Sequence, residues 1–132
     1  MRRILLLVVA LGFCFSSGCG SGDPGVAPAI KSLTHNPTAV TAGKAVTVSG
    51  SFVFEDPDAD GTQFVIKIAT PNGQTQQLPP AAAAGTSGLK AGTIMFAFML
   101  NPMLAGDYAL ELWMLDDAGN RSNSLKSTIS AK

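Results

Sequence analysis

Gly43-Lys44-Ala45-Val46-Thr47-Val48-Ser49-Gly50-Ser51-Phe52-Val53-Phe54 is the stretch whose pattern decides the fold class. Val46, Val48, Gly50, Phe52 and Phe54 fall on one side of an extended chain, with Thr47, Ser49 and Ser51 on the other. A period of two sends alternate side chains to opposite faces, so this run has one face for a core and one for water. The same period recurs outward from it. Phe64, Ile66 and Ile68 alternate with Val65, Lys67 and Ala69, and Tyr108, Leu110, Leu112 and Met114 alternate with Ala109, Glu111, Trp113 and Leu115. Turn residues punctuate the runs at Asp56 to Gly61, Pro71-Asn72-Gly73, Asn101-Pro102, Gly106-Asp107 and Ala118-Gly119-Asn120. Strands are expected near 29–34, 44–55, 63–70, 74–78, 93–100, 107–116 and 122–130. Pro79-Pro80 and Gly85 confine Ala81 to Ala84 to a loop, and no long helical pattern follows residue 18. The expectation is an all-β chain of two antiparallel sheets packed face to face.

Three segments carry a closer resemblance. Gly43 to Gly50 resembles the second strand of bacterial immunoglobulin-like or fibronectin-III-like domains. Gly106-Asp107-Tyr108-Ala109-Leu110-Glu111-Leu112 is similar to their penultimate strand, and Asp116-Asp117-Ala118-Gly119-Asn120-Arg121-Ser122 to the turn into their last one. The resemblance implies an immunoglobulin-like antiparallel β-sandwich of about seven strands over residues 28–132, with Tyr108 as a tyrosine corner. It identifies an architecture and no activity.

The N-terminus reads as an address. Arg2 and Arg3 precede an apolar run from Ile4 to Phe15, and the small residues Ser16, Ser17 and Gly18 lead to Cys19. That is the order of a helical export signal. Its ending resembles the lipobox of bacterial lipoproteins, which implies cleavage after residue 18 and acylation of Cys19, with palmitate among the expected lipids. The apolar run is too short to span a hydrocarbon core, which needs about 20 residues. Residues 19–27 are rich in Gly and Pro and read as a flexible tether. Gly20, where lipoproteins kept at the inner membrane usually have Asp, implies an outer-membrane destination in the cell envelope.

Cleavage leaves 114 residues with seven basic and nine acidic side chains, a formal charge of −2. That length suits one domain with a single core. With no basic stripe, nucleic acid is not an expected partner. Cys14 departs with the leader and Cys19 is taken by lipid, so no disulfide is expected and packing alone must hold the fold.

Three clusters could carry chemistry. Asp56, Asp58 and Asp60 alternate and end at Gly61, while Asp116, Asp117 and Asn120 lie between the sixth and seventh expected strands. In an immunoglobulin-like sandwich these two loops share one end, and their oxygens are candidate calcium ligands. An EF-hand is excluded, because its twelfth position would be Lys67 where a bidentate Glu is needed. The plainer alternative is that Asp, Pro and Gly simply form good turns. Met95, Met99, Met103 and Met114, with His35, form the second cluster; they suit core filling better than copper, having no Met-x-x-Met or His-x-Met pair. The third is Trp113, expected on the outer face of its sheet beside Val65, Lys67 and Lys126. It is there either to pack against lysine stems or to grip a sugar or a protein.

No nucleophile, base and orienting group can be assembled, so no enzyme is expected. His35 is expected to be a solvated or turn residue. The expected function is a lipid-anchored envelope module that binds a protein or glycan. A structural subunit of an envelope assembly and a calcium-binding domain stand as alternatives.

Overall fold

The computed structural model describes residues 25–132. The expected signal segment, Cys19 and most of the expected tether lie outside the described residues. Nine strands follow in order: β1 (Ala29–Asn36), β2 (Ala39–Val40), β3 (Val46–Glu55), β4 (Gly61–Ala69), β5 (Thr75–Gln77), β6 (Ala81–Ala82), β7 (Ala91–Leu100), β8 (Gly106–Asp116) and β9 (Leu125–Ala131). No helix occurs among the described residues.

The strands form two sheets. One is ordered β1-β3-β7; the other is ordered β2-β9-β8-β4-β5, with β6 also paired to β4. All seven expected strands are present, with ends shifted by no more than a few residues. The two additions are β2, which runs parallel to β9, and β6, where a loop was expected. Each is two residues long, too short for alternation to reveal. The partition of β1, β3 and β7 from β9, β8 and β4 matches that of the A-B-E and G-F-C strands of an immunoglobulin-like sandwich.

The alternation seen in the sequence becomes the core. Val48, Phe52 and Phe54 of β3, with Ile94, Phe96 and Leu100 of β7, face Phe64, Ile66 and Ile68 of β4 and Leu110, Leu112 and Met114 of β8. Phe52 meets Phe64 edge-on with ring centroids 5.7 Å apart, and Phe96 lies 6.4 Å from both. This aromatic contact spans the two sheets, so it fixes their spacing as well as burying area.

Tyr108 forms the expected corner. Its hydroxyl donates to the Leu104 carbonyl and accepts from the Leu104 amide, both at 3.0 Å. The phenol is buried while its oxygen serves the turn before β8.

On the β1 side, polar side chains close the seam between the sheets. The Asn123 amide accepts from the Ile30 amide at 2.8 Å and donates to the Ile30 carbonyl at 2.9 Å. His35 Nε2 lies 2.7 Å from the Ser127 hydroxyl, and Nδ1 lies 3.2 Å from the Pro37 carbonyl. The expectation of a solvated or turn histidine thus needs refining: the ring ties β1 to β9 because the sandwich edge brings Ser127 within reach.

Candidate functional site

Two regions hold the acidic cluster and Trp113 with its lysines. At one end of the sandwich, the β3–β4 loop carries Asp56, Asp58 and Asp60, and the β8–β9 loop carries Asp117 and Asn120, with Asp116 ending β8. The fold does bring them together. Gly61 pairs with Asp116, and the Asp117 amide donates to the Asp60 carbonyl at 2.9 Å.

Most of these carboxylates serve the backbone. Asp56 is fully buried and accepts from the amides of Gly61 and, at 3.3 Å, Asp58. Asp58 accepts from the Val26 amide, tying the N-terminal segment to the loop. Asp116 accepts from the Asn120 amide at 2.7 Å and its side-chain NH₂ at 2.8 Å. Short carboxylates that bond nearby amides shape turns, which is why Asp recurs here. Asp60 differs: its Oδ1 is enclosed without a hydrogen-bond partner. Desolvation, then the charges of Asp56, Asp116 and Asp58, push its carboxyl above the ordinary 3.8. Asp117 is exposed. Among the described residues, no three His, Cys, Asp or Glu side chains are placed to hold one metal ion.

Asp60 and Asp117 line an open cleft of about 410 Å³, together with Thr62, Thr86 and Ser87. The Thr86 hydroxyl lies 2.8 Å from the Gly61 carbonyl and 2.7 Å from that of Ala83, docking the segment before β7 onto the start of β4. The sequence held no signal for this wall, because a single threonine in a Gly- and Ala-rich loop has no period.

The second region is the outer face of β4, β8 and β9. Cross-strand register aligns Lys67 with Glu111 and Glu111 with Lys126, a row of alternating charge. Lys67, Glu111 and Lys126 line a shallow hollow of about 210 Å³. Trp113 is on this face as expected and pairs with Val65, but it is only 6% exposed. The Arg121 guanidinium lies 3.8 Å from its ring centroid. Arg121 is held there by the Ser124 hydroxyl at 2.7 Å and Glu111 at 3.3 Å. The indole is therefore packed, and by Arg121 where lysine stems were expected: the turn after β8 folds a cation back over it, a contact that strand alternation cannot foresee. Neither Arg121 nor Glu111 was among the expected site residues, though Arg121 does lie in the turn that resembles the entry to a last immunoglobulin-like strand.

Of the four methionines in the sulfur cluster, Met114 alone fills the core as expected; Met95, Met99 and Met103 are exposed, because their strand and loop positions face outward. Met95 and His35 line one open cleft of about 310 Å³ with Thr34, Ser49 and Ser51, whereas Met114 faces the core.

No protein-family model matches the chain, and no curated protein matches it. Similar solved structures exist. The PKD domain of an M14-like peptidase from a Thermoplasmatales archaeon is 19% identical; the match covers 80% of this chain and 92% of that one, with a TM-score of 0.45. A superoxide reductase (neelaredoxin) from Ignicoccus hospitalis is 15% identical over 80% of each chain, with a TM-score of 0.49. A sporulation control protein from Bacillus subtilis is 12% identical over 81% of this chain and 50% of that one, with a TM-score of 0.48.

Proposed function

We propose that this chain is a binding module of the bacterial cell envelope, anchored through lipid on Cys19, probing its surroundings with the outer face of β4, β8 and β9. The observation that carries the reading is the Lys67–Glu111–Lys126 row around a hollow, with Arg121 beside it. Three cations surround one carboxylate there, which favours an anionic glycan or an acidic patch on an envelope protein. The lipid supplies location, and the domain supplies contact. The outer membrane is the favoured site, from Gly20.

Two measurements test the two halves separately. Mass spectrometry of the chain purified from membranes is expected to find acyl groups on Cys19; an unmodified mature N-terminus removes the anchor. A Lys67→Glu/Lys126→Glu variant is expected to lose retention of envelope protein or glycan, and unchanged retention removes the face.

A second reading rests on Asp60, which has an enclosed, partnerless oxygen and lines the cleft shared with Asp117. A calcium ion there would also relieve the repulsion from Asp56, Asp58 and Asp116. Calorimetric titration decides it: no heat with Ca²⁺ and a melting point indifferent to chelator exclude the site.

A further inference from the structure

Sheet edges present unpaired backbone groups, and soluble β proteins blunt them with short strands, bulges, charges or proline. Among the described residues the two sheets end on β1, β7, β2 and β5. Three of these are guarded. β2 has two residues and β5 has three. β1 is broken by a bulge between Lys31 and Thr34, where Ser32 has φ 58°, and it carries the Lys31–Glu55 ion pair.

β7 has none of these devices. It is ten residues long, Ala91-Gly92-Thr93-Ile94-Met95-Phe96-Ala97-Phe98-Met99-Leu100, with no charge and no proline. Its register with β3 runs unbroken from Ala91 to Leu100. Met95 is 83% exposed and Met99 66% exposed, on the outer face to either side of Ala97. On the inner face, Phe98 is only half-buried and lines an apolar groove of about 160 Å³ with Leu78, Pro79 and Ala81.

We propose that β7 is a self-association edge, on which two copies of this chain pair antiparallel about a two-fold axis at Ala97. The sequence of the edge argues for a second copy over a foreign strand. With Ala97 opposite Ala97, Met95 meets Met99, Phe96 meets Phe98 and Ile94 meets Leu100. Every pair is apolar and none opposes like charges, so the edge complements itself, as an isologous interface requires. A peptide chosen by charge would find nothing on β7 to choose it. Pairing would join two three-stranded sheets into one of six strands and cover Met95 and Met99. This edge is separate from the face assigned to ligand above, so either assignment can fail alone.

The test is sedimentation of the full chain in excess detergent over a range of concentrations, with hydrogen exchange read on β7. The expected result is a dimer whose Ala91 to Leu100 amides exchange more slowly as concentration rises. Ala97→Lys places two ammonium groups at adjacent cross-strand positions about 5 Å apart at Cβ, and is expected to weaken the dimer at least tenfold with an unchanged circular dichroism spectrum. A monomer at every concentration overturns the proposal, and so does a dimer with concentration-independent exchange in β7. Protection of β7 only on addition of an envelope extract assigns the edge to another partner and equally overturns self-pairing.

Discussion

The ring of Phe96 fills the space that a β-carbon on Gly50 would need. An atom there would lie 2.6 Å from Phe96 Cζ and 2.2 Å from the Thr34 carbonyl oxygen. Gly50 and Phe96 are register partners across β3 and β7, and the ring lies over the glycine to reach Phe52 and Phe64. The glycine that interrupts an otherwise apolar strand face is thus a seat for an aromatic ring. Gly50→Ala is expected to destabilise the domain by about 1–3 kcal/mol through overpacking, because the backbone oxygen cannot yield as a side chain would. Thermal melting checks it, with a fall of roughly 5–15 °C.

Asn123 is expected to matter more than its exposure suggests. Its side chain grips both backbone groups of Ile30 and so holds the first strand against the last turn. Asn123→Ala removes both bonds and is expected to cost about 1–2 kcal/mol. Urea unfolding should show a lower midpoint at unchanged slope, with faster exchange at the Ile30 amide.

Trp113 is the chain's one tryptophan, which makes its cover measurable. Arg121→Ala is expected to move indole emission to longer wavelength and to increase quenching by iodide or acrylamide. Stability should fall by about 1 kcal/mol or less, the scale of a surface cation–π contact. An unshifted spectrum would mean that Arg121 does not cover the ring in solution.

Asp60 is expected to make stability fall as pH rises through the range just above 3.8. Its folded-state carboxyl is raised, first by desolvation and then by Asp56, Asp116 and Asp58, so in that range the native state holds a proton that the unfolded chain has released. The penalty is present at neutral pH and disappears on acidification below the unfolded value. Asp60→Asn should therefore melt higher than the wild type at pH 7, with the difference shrinking toward pH 3.5. A constant difference across that range would show that the charge is not the cause.

Much of the architecture was legible because two-residue periodicity survives in the chain. Val48, Phe52, Phe64, Ile66, Leu110 and Leu112 were all placed on inward faces by alternation, and all are buried. Tyr108 was placed by resemblance and makes the bond expected of it. The acidic loops were correctly placed at one end, but which oxygens were already engaged was not legible. Asp56, Asp58 and Asp116 bond to amides whose direction depends on the turn, and identical letters at Asp60 leave an oxygen without a partner.

The sequence alone determined that this is a β chain with one core-facing row of apolar side chains per main strand, because strand faces are set by local geometry. Tertiary structure decided what lies on the outside: Arg121 over Trp113, Asn123 on Ile30, His35 against Ser127, and β7 left as a long bare edge. Each of these joins residues far apart along the chain, depends on how a turn folds back, or depends on which strand ends a sheet. Such relations are fixed only when the two sheets close on their shared core.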